Sequence, residues 1–234
     1  LISNRAGITE GRPSWATLPL PGIQPVLIEE QGSEGTARGD ADPNKDVMKG
    51  ALCIKFPWPG MLRTTYGDHE RCRMNYFAQY TGMYFTGDGA LKDKDGNYRI
   101  TGRMDDVLNV SGHRIGTAEV ENAINMHEGV VESAVVGYNH DIKGQGIYAF
   151  VIAKEMHGGE EQTRKDILAT VSRIIGPIAK PDKIQFVPGL PKTRSGKIMR
   201  RILRKIAEGE TENLGDTTAL LEPGVVEEIA KGKL

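Results

Sequence analysis

The spacing of apolar and polar residues changes along the chain, and the change divides it. Val26 to Glu29 and Ala51 to Phe56 alternate apolar with polar or run briefly apolar, as strands do. Between them, Gly32 to Gly50 is rich in Gly, Asp, Asn and Pro and is predicted to be a long turn. Trp58-Pro59-Gly60 breaks the second strand. Asp68 to Tyr80 is predicted as a helix, with the early acids Asp68 and Glu70 suiting its N-terminal end. A hairpin follows: Met83 to Thr86, a Gly87-Asp88-Gly89 turn, and Tyr98 to Thr101 after the turn signal Asp95-Gly96. Everything up to about Arg103 reads as β-rich.

After Asp105-Asp106 the period lengthens. Thr117 is the predicted N-cap of a helix whose Val120, Ala123 and Ile124 share one face, with Glu119 in its first turn. Strands are predicted at Glu132 to Gly137 and Ile147 to Ala153. A helix from Glu161 to Ile175 carries Ile167, Leu168, Val171, Ile174 and Ile175 on one stripe, and Gly176-Pro177 stops it. A strand, Lys183 to Val187, precedes a final helix from Ile198 to Ala207. The order α-β-β-α-β-α describes a compact α/β or α+β domain of about 100–150 residues. The fold class is therefore α+β, with a β-rich part over 1–104 and a small α/β domain over 105–234. The opening Leu1-Ile2-Ser3-Asn4-Arg5 has no start methionine and soon feeds a strand through Leu18-Pro19-Leu20-Pro21-Gly22-Ile23, so a longer parent protein is expected.

Composition narrows the class without naming it. The chain is 38% hydrophobic and 26% charged, with 30 Lys and Arg against 31 Asp and Glu and a formal net charge of −1. Such a balance gives no bulk attraction to nucleic acid or to an anionic membrane. No apolar run approaches the roughly 18 residues that span a bilayer, and no signal-peptide pattern opens the chain. Cys53 and Cys72 leave one disulfide open as an alternative, but two isolated thiols fit a reducing compartment better. A cytoplasmic protein is expected.

The strongest local feature is Pro191-Lys192-Thr193-Arg194-Ser195-Gly196-Lys197, running straight into a basic helix. Lys192, Arg194, Lys197, Arg200, Arg201, Arg204 and Lys205 make seven of the fourteen residues from 192 to 205 cationic. For most of them a solvated helix face is the simpler reading, since Ile198, Met199, Ile202, Leu203 and Ile206 form an apolar stripe opposite. A nucleic-acid module using this segment is the alternative from another class; the absence of interleaved aromatics argues against it. Lys197 differs. It follows Ser195-Gly196, where the backbone bends tightly, and a lysine so presented suits a phosphate or an anionic transition state. It is no Walker A lysine, because Gly189 lies too far upstream and Ile198 stands where Ser or Thr would bind magnesium.

Two weaker constellations accompany it. Gly87-Asp88-Gly89 is by itself most simply a turn, yet with Arg103 of Gly102-Arg103-Met104-Asp105-Asp106 it offers an acid and an arginine at adjacent strand ends, fit to clamp a ribose diol and a phosphate. Val110-Ser111-Gly112-His113-Arg114-Ile115-Gly116 reads as a loop of two glycines bracketing a cation. The histidines at 69, 113, 127, 140 and 157 show no ligand spacing, which argues against zinc.

Taken together these segments resemble the adenylate-forming superfamily and, within it, the AMP-forming acetyl-CoA synthetases. The resemblance rests on Tyr84-Phe85-Thr86-Gly87-Asp88-Gly89, on residues 100–114 from Ile100-Thr101-Gly102-Arg103 through Gly112-His113-Arg114, and on Leu190-Pro191-Lys192-Thr193-Arg194-Ser195-Gly196-Lys197-Ile198-Met199-Arg200-Arg201. Gly67-Asp68-His69-Glu70-Arg71 and Asn213-Leu214-Gly215-Asp216-Thr217 are more particular to acetyl- and propionyl-CoA synthetases.

Such enzymes form acetyl-AMP from acetate and Mg·ATP. They then rotate their C-terminal domain, the β-rich part here closing the large N-terminal one, and transfer the acetyl group to CoA. The resemblance implies that Asp88 binds the ribose of ATP, that Arg103 helps on the same nucleotide and that Arg114 contacts its phosphates. Asp105 would be the hinge, and Ser111 with Gly112 would line the CoA site. Lys197 would reach the acetate oxygen and the α-phosphate in the first step only. Pro191 to Lys197 also has the form of the site that a protein lysine acetyltransferase modifies and a sirtuin-type deacetylase restores. Mg2+ accompanies ATP, and the family carries a cation held largely by carbonyl oxygens near the turn matching Asn125, His127 and Val130.

Two departures stand out. Ser172 occupies the place of a CoA-phosphate arginine, which leaves two alternatives, substitution by Arg173 beside it or loss of that contact, and the loop Gly35 to Asp46 looks long. Propionyl-CoA synthetase, or another short-chain acyl-CoA ligase, is the neighbouring reading. The phosphate loop, adenine segment and acyl pocket of the family lie outside this stretch, which implies that it does not catalyse the overall reaction alone.

Overall fold

The computed structural model describes residues 1–29, 47–154, 158–212, 214–215 and 217–234. The loop read as long at 35–46, His157, and Asn213 and Asp216 of the tail signature lie outside the described residues. The chain divides into two compact units, Leu1–Asp105 and Asp106–Leu234.

The first unit is an antiparallel meander of β1 (Pro25–Ile28), β2 (Val47–Ile54), β3 (Tyr84–Asp93) and β4 (Tyr98–Arg103), in that spatial order. One face of the sheet buries Val26, Ile28, Ala51, Cys53 and Phe85 with Tyr80, and the other buries Leu27, Leu52, Ala90 and Tyr98. This is the strand alternation of period two. Helix α1 (His69–Tyr76) begins where its cap lies, the Asp68 carboxylate accepting the Arg71 N–H. It ends four residues before the predicted Tyr80. Cys53 and Cys72 are buried free thiols on different elements.

Two expectations fail in this unit. Val47 to Gly50, assigned to a long turn, extends β2 and pairs with Ala90 to Asp93. Gly87-Asp88-Gly89 does not turn either. It runs inside β3, and the register with β4 slips between Gly89 and Ala90. Glycines inside a strand mark such an irregularity as often as a reversal. The chain reverses later, where the Asp93 carboxylate accepts the Asp95 and Asn97 N–H groups at 3.0 and 2.9 Å.

The second unit is a sheet with helices on both faces. Its strands are β5 (Val107–Val110), β6 (His113–Gly116), β7 (Val130–His140), β8 (Gly144–Ala153) and β9 (Lys183–Phe186). β8 pairs antiparallel with β7 and parallel with β9, and meets the β5–β6 hairpin at Val110. Ile147, Ala149 and Val151 of β8 pack with α2 (Thr117–Asn125) and α3 (Glu160–Ile174). Tyr148 and Phe150, pointing the other way, pack with α4 (Arg200–Glu208) and α5 (Gly224–Lys231).

The predicted order omitted the β5–β6 hairpin and α5. Residues 107–116 lie too close to polar and glycine positions to show a period, and α5 is only eight residues long and directly follows Pro223. Thr117 is the first helical residue rather than the N-cap; Gly116 takes that place without a side-chain cap. α4 starts two residues later than predicted, at Arg200. No helix among the described residues is long and apolar enough to cross a membrane.

The two-sided core has a measurable consequence. Ile124 is fully buried, whereas Val131 is 52% exposed. Ile124→Ala should lower stability by about 2–5 kcal/mol in urea unfolding, and Val131→Ala should stay within about 0.5 kcal/mol of wild type.

Candidate functional site

The first unit brings Asp88, Arg103 and Asp105 together. Asp88 stands directly opposite Arg103 in the β3–β4 ladder, so strand pairing itself sets acid against base. The Arg103 guanidinium lies 3.6 Å from the Asp88 carboxylate and 3.0 Å from that of Asp105, and it donates to the Thr86 carbonyl at 3.2 Å. Thr86 fixes the acid through the backbone. Its hydroxyl accepts the Asp88 N–H at 3.1 Å and donates to the Leu52 carbonyl at 2.9 Å. Gly87 has φ +80°, and a Cβ there would come within 2.6 Å of the guanidinium; only glycine lets the arginine lie so close to the strand. Burial raises the Asp88 carboxyl above its ordinary 3.8, with the Arg103 charge and the Thr86 hydrogen bond pulling the other way.

In the second unit, Lys197 sits at the end of a tightly closed turn. Lys192 bridges Ile198, the Thr193 N–H donates to the Lys197 carbonyl at 2.9 Å, and the Gly196 N–H donates to the Thr193 carbonyl at 2.8 Å. The Lys197 N–H donates in turn to the Thr193 hydroxyl at 3.2 Å. The Lys197 side chain is exposed, and its ammonium has no partner among the described residues.

Most of its cationic neighbours are committed. Lys192 pairs with Glu132 at 2.5 Å, Arg200 with Glu121 at 2.7 Å, Arg204 with Asp106 at 3.3 Å and Lys205 with Glu210 at 3.5 Å. Arg201 donates to the Leu214 carbonyl at 2.7 Å. The cations do lie at the solvent-facing surface, none of them buried; what their spacing did not show is that acids from α2, β7, the residue before β5 and the segment just after α4 meet them.

The remaining predicted residues fall on separate elements. Ser111 and Gly112 form the two-residue turn of the β5–β6 hairpin, with φ +50° and +82°. Both central residues of such a turn need positive φ, and Ser111 adopts it at a cost glycine would avoid. Arg114, expected in a loop, lies in β6 opposite Asn109. Arg173 is exposed in the last turn of α3. Asn125, His127 and Val130 follow one another from the end of α2 into β7.

Two side chains of that last group have partners within the chain, the Asn125 Oδ1 accepting the Ser133 hydroxyl at 2.8 Å and the His127 Nδ1 accepting the Gly129 N–H at 3.1 Å. The His127 carbonyl accepts the Val130 N–H at 2.9 Å and retains a second lone pair. Uncharged carbonyl oxygens of this kind fit a hard cation. No three His, Cys, Asp or Glu side chains converge as a metal site among the described residues.

Sequence reasoning missed Thr86, Glu121 and Arg200 as organising residues. For Glu121 a signal existed: it sits on the buried side of α2 with Thr117, Val120 and Ile124. An acid on an apolar stripe calls for a partner.

Residues 119–197 match the family model described as AMP-binding enzyme C-terminal domain. Over its full length the chain is 56% identical to acetyl-coenzyme A synthetase of Syntrophobacter fumaroxidans and 54% identical to that of Marinobacter nauticus, spanning 34% of each. It thus spans about a third of the length of the curated relatives it matches. Its fold is similar to that of ATP-bound MatB from Rhodopseudomonas palustris, with TM-score 0.71 and 23% identity over 86% of this chain and 37% of that one. It is also similar to anthranilate CoA ligase AuaEII in complex with anthranoyl-AMP, with TM-score 0.68 and 28% identity over 88% and 37%. Residues 119–197 are thus similar to the C-terminal domain of AMP-binding enzymes, and the chain is similar along its whole length to the acetyl-coenzyme A synthetases.

Proposed function

We propose that the chain is part of an AMP-forming acetate–CoA ligase and supplies its mobile domain and catalytic lysine. The observation that carries this reading is Lys197: an exposed ammonium, without a partner among the described residues, on a closed turn whose other cations are mostly paired. Similarity to acetyl-coenzyme A synthetases along the whole chain supports acetate as the acid.

The reaction has two steps. An acetate oxygen attacks the α-phosphorus of ATP, the bond to pyrophosphate breaks, and acetyl-AMP forms. The CoA sulfur then attacks the acetyl carbon and AMP leaves. Lys197 places positive charge where the α-phosphate and the acetate oxygen gather negative charge, and so acts in the first step. Asp88 accepts hydrogen bonds from the ribose hydroxyls, Arg103 holds the same nucleotide, and Arg114 lies on its phosphates. Ser111 and Gly112 line the CoA path, and the strained φ of Ser111 is the kind of outlier that functional turns retain. Arg173 meets the CoA phosphates in place of the arginine that the family has at Ser172.

ATP enters with Mg2+, and Asn125, His127 and Val130 would hold a further cation through carbonyl oxygens, its charge tying the end of α2 to β7. The remaining machinery belongs to the rest of the ligase, so this stretch alone does not turn over.

Asp105 is the hinge in this reading. Its carboxylate is held by Arg103 within the first unit, while that of the next residue, Asp106, is held by Arg204 within the second. Rotation about the intervening backbone then disturbs neither pair. An exposed Lys197 also suits a protein lysine acetyltransferase, whose acetyl group would remove the charge until a sirtuin-type deacetylase restored it. We place the ligase in the cytoplasm, in keeping with two cysteines that form no disulfide.

Two outcomes are expected of the full-length enzyme. Lys197→Ala should lower acetyl-AMP formation by about 10²–10³-fold, while conversion of supplied acetyl-AMP and CoA proceeds at the wild-type rate; an equal loss in both half-reactions would count against this role. Asp88→Asn should raise the KM for ATP about 10–100-fold by removing a charged acceptor and yet raise thermal stability at pH 7. The sign follows from burial: a carboxyl raised above 3.8 costs stability when ionised. The gain should therefore vanish as the pH falls and wild-type Asp88 takes up its proton, which unfolding followed by circular dichroism at several pH values would reveal.

A further inference from the structure

The turn bearing Lys197 is fixed from both sides by ion pairs, and the two are unequal. Upstream, Lys192 reaches Glu132 at the start of β7, a pair in which both side chains are about one-third exposed. Downstream, Arg200 meets the Glu121 carboxylate through 2.7 and 2.9 Å contacts from one guanidinium nitrogen and a longer one from Nε. The Glu121 side chain is only 10% exposed, and the same carboxylate accepts the Val135 N–H of β7 at 2.8 Å. One buried acid thus joins α2, the sheet and the first residue of α4. Between the clamps the strand-like contacts close the loop, with the Met199 N–H donating to the Pro191 carbonyl at 2.8 Å and the Leu221 N–H to the Lys192 carbonyl at 2.8 Å.

Helix stability does not call for this arrangement. Arg200 and Arg201 open α4, where the helix dipole favours acids, and the cap residue Met199 offers no side-chain hydrogen bond. A charged, directional contact has been placed three residues after Lys197 at a helix end that local preference would fill otherwise. A buried bidentate pair sets position and orientation more narrowly than an apolar contact does. Its expense in desolvation makes it a poor source of stability for its own sake.

We infer that Glu121, acting through Arg200, is a positioning residue for Lys197: it fixes where the turn 191–199 presents the ammonium during adenylation. Glu132, acting through Lys192, is the weaker second anchor. The inference rests on the proposed role of Lys197. Displacement of a charged group by about 1 Å can cost on the order of 100-fold in rate, so loosening this anchor should tell on the chemical step and not on nucleotide affinity.

The test compares wild-type full-length ligase with Glu121→Gln, Glu132→Gln and Lys197→Ala. The readouts are ATP–pyrophosphate exchange with acetate, thioester formation from supplied acetyl-AMP and CoA, and thermal unfolding. In Glu121→Gln the kcat of exchange should fall about 10–100-fold, with the KM for ATP little changed and the thioester step at its wild-type rate. A folded Glu121→Gln that loses both steps equally, or neither, overturns the inference. If that variant does not fold, Glu132→Gln decides: its pair, one-third exposed to solvent, contributes little stability, and it should show a smaller loss confined to exchange. An unselective or absent effect there overturns the inference too. Lys197→Ala separates the levels. If it abolishes exchange while the two glutamine variants are normal, only the positioning role fails; if it leaves exchange intact, the proposed function of Lys197 fails and takes the positioning role with it.

Discussion

Strand β8 is buried on both faces and hydrogen-bonded to its neighbours on both edges, and the order of the second unit depends on that constraint. Side chains alternate along it, so Ile147, Ala149 and Val151 meet α2 and α3 while Tyr148 and Phe150 meet α4 and α5. Each large apolar side chain so buried contributes about 1.5–3 kcal/mol relative to exposure. A slip of one residue would exchange the two sets. It would carry the stacked rings of Tyr148 and Phe150, 4.6 Å apart, into the space fitted to smaller aliphatic groups. Register is therefore strongly fixed, and with it the faces on which α2 and α4 lie. Whatever links those helices must go past the sheet, and Glu121 does so by taking the Val135 N–H of β7 on the way to Arg200.

That link is electrostatic because the acid is already buried by the helix packing. Burial raises the Glu121 carboxyl above its ordinary value, while the Arg200 hydrogen bonds and the Val135 N–H oppose the rise. A carboxylate so enclosed is tolerable only with those donors in place. The same economy runs through the basic segment: five of its cations are taken up by Glu132, Glu121, Asp106, Glu210 and the Leu214 carbonyl. Lys197 and Arg194, both exposed, stand apart from that set. A run of positive charge that looks uniform in sequence is thus divided by the fold into paired cations and two exposed ones.

What the sequence made legible follows from where its signals are local. The unbroken apolar run Ile147 to Ala153 announces a strand covered on both faces, and the apolar stripe of 161–175 announces a helix of nearly the observed length. Asp68 marks a helix start because its side chain does the capping itself. Short elements and glycines misled. Gly87-Asp88-Gly89 has turn composition, but Leu52, Thr86 and the partner strand β4 keep it within the sheet, a tertiary effect that no window of neighbours contains. The β5–β6 hairpin is four residues a side, too short for a period to emerge. At the candidate site, Lys197 was legible from the glycine before it. Asp88 with Arg103 was legible as a pair, though not as a pair set directly across a ladder. Thr86 acquires meaning only from a partner 34 residues away, and the acid that the stripe of α2 singles out at Glu121 finds its partner 79 residues away.

The residues assigned to chemistry are the ones whose local surroundings serve them least. Asp88 is ionised against its burial, Ser111 holds a backbone angle that its Cβ disfavours, and the Lys197 ammonium stands without an acid among the described residues. Each is held in that condition by well-satisfied neighbours: Thr86 and Arg103 for Asp88, the Lys143 carbonyl accepting the Ser111 N–H at 3.0 Å, and the two ion pairs flanking Lys197. Local conflicts in an otherwise consistent fold concentrate where a ligand is meant to resolve them. A nucleotide would bring hydroxyls to Asp88 and phosphate charge to Lys197. Under the proposed function the stability forgone in the free protein would return as binding and as stabilisation of the transition state, and the acids Glu132, Glu121, Asp106 and Glu210 pair with the neighbours of Lys197 and leave its ammonium to a ligand.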